Sequence, residues 1–392
     1  MGPEDRTDKK LRVLQLNKYY APVIGGVEKV AEEIGRGLSE RTEMTVLVCN
    51  RQGPAAEEER DGVRVVRAAS PRSVLGMPLS FSYFIRLRRL AREADVLLLH
   101  EPFPLGDVAV LLRAGKKPLA VWWHSDIVRQ KRWRFLYGPL QRKILNRASV
   151  ILAATQAHVD FSEALEEFRG KCRIIPFGID AAAFRAGAAS CSPLQELKDP
   201  SLLSAPASAS PLKLLFVGRL VPYKGVEILL RALALTEEID LYIVGKGPLG
   251  ESLRGLAVSL GIEERVHFLG EPEDPVLKAC YRDCGAFVLP SVTKNEAFGL
   301  VQMEAMAFGK PVVNTALPSG VPWVSLHGQS GMTVPPGDVD ALAGALEALK
   351  DGELRERLGR GALERVETEF SMGIMLERVL AALEEAAGSL KD

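Results

Sequence analysis

No apolar run in this 392-residue chain approaches the roughly 18 residues that a membrane-spanning helix needs. A transmembrane span is therefore not expected. The start, MGPEDRTDKKLRVLQL, is charged and lacks the apolar stretch of a secretory signal. Pro3 and Arg6 also depart from a myristoylation start. The expectation is a cytoplasmic chain, peripheral on the inner face of the cell membrane. The five cysteines, Cys49, Cys172, Cys191, Cys280 and Cys284, are odd in number and irregular in spacing, which supports neither a disulfide framework nor a zinc site. The glycine fingerprint of a nicotinamide-dependent oxidoreductase is missing as well. The first strand runs into IGGVEKV rather than G-x-G-x-x-G. No nucleic-acid motif is found, and no nucleic-acid partner is expected.

Net charge is also absent, with 50 Lys and Arg against 50 Asp and Glu. The balance is uneven along the chain. Residues 1–185 carry 31 basic and 22 acidic side chains, and the remainder carries 19 and 28. A basic first half beside an acidic second half suggests an anionic partner for the first half.

What is present is an alternation of short apolar runs with helical patterns. LRVLQL, EMTVLVC, GVRVVRA, DVLLLHE, PLAVWW and SVILAA read as strands. GGVEKVAEEIGRGL places Val27, Val30, Ala31, Ile34 and Leu38 at helical spacing. The rhythm breaks at AGAASCSPLQELKDPSLLSAPASASPLK, which is rich in Ala, Ser and Pro, and restarts at KLLFVGRL. Strands alternating with helices predict a parallel sheet covered on both faces, built twice. The expected division is 1–185, a linker or insertion at 186–211, a second domain at 212–370, and a C-terminal helix at 371–392 that packs back on the first domain.

Ligands of such sheets gather at the carboxyl ends of the strands. Gly25 and Gly26 follow the first strand and open a helix, which suits an anion or a simple flexible turn. Arg219 and Lys224 follow the strand at 214–217 and stand before a helix, as a diphosphate clamp or as two solvated basic residues. The stretch KNEAFGLVQMEAMAFGKPVV holds two glutamates, Glu296 in the loop and Glu304 in the following helix. Between them Phe298, Gly299 and Leu300 lie at a helix N-terminus, where free N–H groups hold phosphate. A carboxylate at each end suits sugar hydroxyls, because each accepts two hydrogen bonds. The alternative is a capping Glu296 and an exposed Glu304.

This stretch resembles the E-x7-E motif of retaining glycosyltransferases of family GT4, which have the GT-B architecture. FVGRLVPYKG, IIPFGID, IVGKGP, VHFLG and YYAPVIGGVE are similar to that family's other segments, in order, over nearly the whole chain. Within the family the chain resembles bacterial mannosyltransferases of surface-polysaccharide assembly. The resemblance implies an α/β fold of two Rossmann-like doubly wound parallel-sheet domains with an interdomain cleft. It implies a nucleotide-sugar donor, GDP-mannose first and a UDP-sugar as the alternative, and a glycan or lipid-linked acceptor. Glu296 would contact the donor sugar, and Phe298, Gly299 and Leu300 would lie along the donor. Glu304 would hold the ribose, and Arg219 and Lys224 would neutralise the diphosphate. Gly25 and Gly26 would form a loop over that diphosphate. His124, after the strand LAVWW, matches a histidine near the reacting carbon; its alternative is simple packing beside Trp122 and Trp123. No cofactor or metal is expected, because no Asp-x-Asp triplet is recognised in the chain. A non-catalytic nucleotide-sugar-binding protein is the alternative from another class.

FSYFIRLRRLAR, Phe81 to Arg92, and RQKRWRFLYGPLQRK, Arg129 to Lys143, mix aromatic and basic residues. Such stretches suit an anionic bilayer or a lipid-linked pyrophosphate acceptor, or are ordinary amphipathic helices.

Overall fold

A computed structural model describes residues 10–23, 25–51, 53–70, 72–74, 77–125, 131–190, 193–196 and 211–388. The chain forms two compact units, Met1–Pro176 with Met375–Asp392, and Phe177–Ile374.

The strands of the first unit are β1 (Leu11–Leu16), β2 (Thr42–Cys49), β3 (Ala56–Arg60), β4 (Val63–Ala68), β5 (Arg72–Val74), β6 (Met77–Leu79), β7 (Val96–Glu101), β8 (Leu119–Trp123), β9 (Val150–Ala153) and β10 (Cys172–Ile174). Eight of them make one sheet in the order β10-β9-β8-β7-β1-β2-β4-β3, while β5 and β6 pair as a separate hairpin. Every pairing in the large sheet is parallel except β3 with β4. β7 and β8 are buried at every position, which is why they read as unbroken apolar runs. The helices α1 (Gly26–Leu38), α2 (Phe81–Glu93), α3 (Pro104–Arg113) and α4 (Lys131–Arg147) belong to this unit. In α1 the predicted spacing holds: Val30, Ala31, Ile34 and Leu38 are buried.

The second unit carries β11 (Leu212–Val217), β12 (Ile239–Val244), β13 (Val266–Gly270), β14 (Ala286–Leu289), β15 (Val312–Thr315) and β16 (Gly331–Val334). Their order is β13-β12-β11-β14-β15-β16, and all pairings are parallel. In each sheet the winding reverses at one place. It lies between β1 and β7 in the first and between β11 and β14 in the second. The crevice at the carboxyl ends there is the expected ligand position.

Three features differ from the sequence-based picture. The boundary between the units falls after Pro176, not at 185, and the described residues of segment 186–211 belong to the second unit. Its described part packs: Leu194 is fully buried, its carbonyl accepts from the Tyr242 hydroxyl at 3.1 Å, and Ala189 N–H donates to Pro275 O at 2.8 Å. Apolar Leu194 supplies the anchor that an Ala-Ser-Pro composition hides. Finally, β3 is an extra antiparallel edge strand of sequence AEEER, exposed throughout. Arginines of β4 hold it, Arg64 to Glu57 at 3.1 Å and Arg67 to Glu58 at 2.6 Å. The helix Met372–Gly388 is present, and from Met375 onward it belongs to the first unit. There Val379, Leu383 and Ala386 are buried, and Arg173 pairs with Glu385 at 2.7 Å.

Candidate functional site

The second unit brings Lys224 and Glu296 together. Lys224 lies beyond β11 and Glu296 beyond β14, so the pair spans the point where the winding reverses. The Lys224 ammonium sits 2.5 Å from Glu296 Oε2, and each residue is only 8% exposed. Ser291 Oγ donates to the same oxygen at 3.0 Å. Glu296 is thus neither a helix cap nor a solvated loop residue. Glycine makes the closeness of the two segments possible. Gly225 has φ +69°, and a Cβ there would lie 2.0 Å from the carbonyl oxygen of Pro290.

Gly299 caps the helix Leu300–Ala307 in the left-handed conformation, φ +75°. The first N–H groups of that helix have no carbonyl one turn earlier within it, and its dipole favours an anion. The Phe298 side chain is buried against Phe177 at 4.8 Å and Phe370 at 6.1 Å, which leaves its backbone as the part available to a ligand. Glu304 is half-buried, and its Oε2 accepts from the Tyr281 hydroxyl at 2.8 Å. Arg219 is exposed and makes no ion pair among the described residues.

A buried polar lattice holds this loop, and sequence reading missed it. Gln302 donates to Phe298 O at 2.9 Å, Asn314 donates to Gln302 Oε1 at 2.9 Å, and Thr333 donates to Asn314 Oδ1 at 2.8 Å. Thr315 Oγ1 donates to Ser291 O at 2.6 Å. The signal available was a glutamine and an asparagine inside otherwise apolar stretches. Such groups are buried only when bonded. An Asp-x-Asp spacing, Asp338–Val339–Asp340, also escaped the sequence reading. Asp338 accepts from Ala341 N–H at 2.9 Å as a helix cap.

In the first unit His124 follows β8 directly and is buried. Its Nε2 lies 2.8 Å from Nδ1 of His100, the penultimate residue of β7. Trp122, His100 and His124 stack with ring planes within 16°. His158, after β9, completes three histidines at one sheet edge, where its Nδ1 meets Thr155 Oγ1 at 2.8 Å. Burial pushes His100 down to about 3 and His158 down to about 4. Burial, with the two neighbouring histidines, holds His124 well below its ordinary value. All three are neutral near pH 7. His100 Nε2 has no hydrogen-bond partner among the described residues. An orphaned N–H is the rarer buried state, so the proton of His100 sits on Nδ1 and is donated to His124 Nε2. His124 then carries its own proton on Nδ1.

Glu101, last in β7, and Asp107 in α3 are both buried, and the Tyr137 hydroxyl of α4 contacts both carboxyls, Glu101 at 3.0 Å. Burial raises both acids, and the Glu101 charge raises Asp107 further. One phenolic hydrogen serves only one of them, so the other keeps a proton.

Gly25 and Gly26 stand where expected, beyond β1 at the start of α1. Yet Gly25 is extended, with φ −177°, a conformation open to any residue. The Glu28 carboxylate folds over it, 2.1 Å from where a Cβ would sit. Its glycine identity is therefore not required by backbone strain, and the acidic side chain occupies the helix start.

Two Rossmann-like parallel-sheet units, each with polar residues gathered where the winding reverses, make this a GT-B protein. Residues 24–183 match the family described as Glycosyltransferase Family 4, and residues 204–365 match Glycosyl transferases group 1. The chain is 32% identical over 364 residues to the D-rhamnosyltransferase WbpZ of Pseudomonas aeruginosa, covering 92% of each chain. It is 29% identical to the O-antigen chain mannosyltransferase C of Escherichia coli, covering 94% of this chain and 96% of that one. It is 28% identical to a GDP-mannose-dependent phosphatidylinositol monomannoside mannosyltransferase of Mycobacterium tuberculosis, covering 92% and 94%. Its fold is that of Anabaena HepE, solved in complex with UDP, with a TM-score of 0.74, 22% identity and coverage of 95% and 100%. The chain belongs to glycosyltransferase family 4 and is a hexosyltransferase.

Proposed function

We propose that the chain transfers mannose from GDP-mannose, with retention, to a glycan or lipid-linked glycan acceptor of surface-polysaccharide assembly. The observation that carries this is the buried Lys224–Glu296 pair beside the Gly299-capped helix. Glu296 would accept hydrogen bonds from donor-sugar hydroxyls. Lys224, held by that carboxylate, would present its charge to the diphosphate, joined by exposed Arg219 and the N–H groups of Gly299 and Leu300. Glu304, oriented by Tyr281, would take the ribose hydroxyls. As the bond from C1 to the phosphate oxygen breaks, negative charge grows on that oxygen. Cations and N–H groups aimed there lower the barrier. The acceptor hydroxyl forms the new bond from the same face, and its proton passes to the departing phosphate oxygen. No metal enters this scheme. Gly25 and Gly26 would line the diphosphate, and the Nδ1–H of His124 would donate to the donor sugar.

The mannosyltransferase names of two relatives support mannose. A 6-deoxyhexose donor is the second reading, favoured by the relative named a D-rhamnosyltransferase. An anionic membrane surface at the cytoplasmic face would be the partner of the basic first half. Among the described residues no helix is long and apolar enough to cross a membrane. Residues 129 and 130 of the second basic-aromatic stretch, and the side chains of 131–136, lie outside the described residues.

Calorimetry with GDP, UDP, ADP, GDP-mannose, GDP-rhamnose, UDP-glucose and UDP-N-acetylglucosamine, without metal, tests the donor. Selective GDP and GDP-mannose binding is expected. Selective UDP binding overturns the donor, and no nucleotide binding overturns the phosphate site.

A further inference from the structure

His100 is a polar residue in a place built for an apolar one. It lies in β7, where every position is buried, and is itself 1% exposed. Burial holds its imidazole neutral near pH 7. Its Nε2 makes no hydrogen bond among the described residues. A leucine, as at Leu98 on the same face of the strand, would fill the layer without stranding a nitrogen. A cost of that kind, kept inside a buried strand, directs attention to the other nitrogen.

That nitrogen, Nδ1, meets His124 Nε2 at 2.8 Å. The register of the sheet sets up the meeting. His100 lies opposite Trp122, and His124 stands two residues beyond Trp122. The His124 N–H donates to Glu101 O at 3.0 Å, which carries the ladder one residue past β8. The two ring planes are 16° apart and their centres 5.1 Å apart. This is the separation that a 2.8 Å bond between ring nitrogens requires when it runs along the line of centres. The Trp122 ring, 7° from the plane of His100 at 6.0 Å, packs beside it.

The direction of the bond follows from the stranded nitrogen. With the His100 proton on Nδ1, the buried Nε2 is a bare lone pair. With the bond reversed, His100 would carry a buried N–H with no acceptor, the rarer state. His124 Nε2 is therefore engaged as an acceptor, and the proton of His124 stays on Nδ1. Whatever His124 meets through Nδ1, it meets as a donor. A neutral imidazole has one ring lone pair in its plane, and His100 already holds it.

We propose that His100 is a positioning residue for glycosyl transfer: its N–H locks His124 in the neutral, Nδ1-protonated form, which makes His124 a hydrogen-bond donor to the sugar and bars it from serving as a general base. The inference rests on the role given to His124 above and deepens it. The acceptor O–H breaks as its oxygen joins C1, and with His124 unable to take that proton, its route is to the departing phosphate oxygen.

The test is nitrogen NMR of the full chain carrying isotope-labelled histidine, near neutral pH, together with donor turnover. The chain has five histidines, few enough for each signal to be assigned by substitution. In wild type, His124 should show a protonated Nδ1 and a bare, hydrogen-bonded Nε2. His100→Phe keeps a ring beside Trp122 and has no donor. There the His124 proton should redistribute towards Nε2, and kcat should fall on the order of a hundredfold. His100→Asn carries an amide N–H on the same γ carbon that bears Nδ1. It should restore the Nδ1-protonated form and recover most of the lost kcat. Urea unfolding checks that both variants fold. A protonated Nε2 on His124 in wild type overturns the inference without any variant, and leaves a contact between His124 and the sugar standing. A His124 proton that stays on Nδ1 in His100→Phe overturns it too, whatever happens to kcat. Equal loss of kcat in His100→Phe and His100→Asn makes the position one of packing and also overturns it. A proton that moves in His100→Phe with kcat unchanged overturns the positioning role together with the role given to His124 above.

Discussion

Replacing Lys224 by methionine removes one charge from a pair in which both residues are 8% exposed. Glu296 would keep the hydrogen bond from the Ser291 hydroxyl at 3.0 Å. Breaking a buried pair from one side costs about 3–5 kcal/mol, because the remaining charge is stranded. The surviving hydroxyl argues for the lower end, about 3 kcal/mol. On the proposed role, in which the Lys224 ammonium would meet the leaving group, its removal costs transfer a further factor of about 10²–10³. The two losses are separable with Lys224→Met combined with Glu296→Gln, which removes both charges and keeps the shape. Its stability should return to within about 1 kcal/mol of wild type, since a neutral replacement of a buried pair is close to neutral. Its transfer should stay at least about a hundredfold down. The assay pairs urea unfolding with release of nucleoside diphosphate from the donor that binding selects. Recovery of transfer in the double variant would show the pair to be structural only. An unchanged urea midpoint in the single variant would refute the claim that a buried charge is stranded.

Gly225→Ala forces a side chain into the left-handed region and against the Pro290 carbonyl, so the segment carrying Ser291 and Glu296 must shift. Stability should fall by more than about 1–2 kcal/mol, the left-handed cost alone, and transfer should be lost; an active, equally stable variant would contradict the packing. The pH dependence of the first unit has two opposed parts. His100 and His158 titrate near 3 and 4 instead of 6.5, so the unfolded chain binds protons that the native state refuses. Their contribution is complete above about pH 6.5 and is lost as pH falls towards 4 and 3. Glu101 and Asp107 are raised, and their contribution is full below the unfolded carboxylate range and is lost as pH rises. His100→Phe should therefore flatten the fall in urea midpoint below pH 6.5, and an unchanged slope would refute the assignment.

Much of the fold was legible because strands covered on both faces must be apolar throughout. LAVWW and DVLLLHE could hardly be anything else. β3 was not legible, since AEEER has neither strand composition nor alternation and depends on Arg64 and Arg67 of the next strand. The E-x7-E stretch announced the loop and helix, but not that Glu296 would be buried against Lys224, 72 positions earlier in the sequence. Pairing of that kind is fixed by strand order, which one sequence does not spell out. Phe298 was read by its place in a motif, whereas its side chain answers to Phe177 and Phe370. His100 went unnoticed for a similar reason. It lies inside an apolar run, and only the register of β7 beside β8 brings it against His124.

The closing helix of the first unit is made only after the whole second unit. A ribosome delivers residues 10–176 first, then the entire second unit, and only then Val379, Leu383 and Ala386, which the first unit buries. The second unit can therefore mature while its elder neighbour still shows an uncovered apolar seam. Birth order and completion order are reversed. A nascent chain interrupted near its end would carry a finished second unit beside an unfinished first one, and chaperones and proteases would meet the fault at the front of the protein rather than at the break.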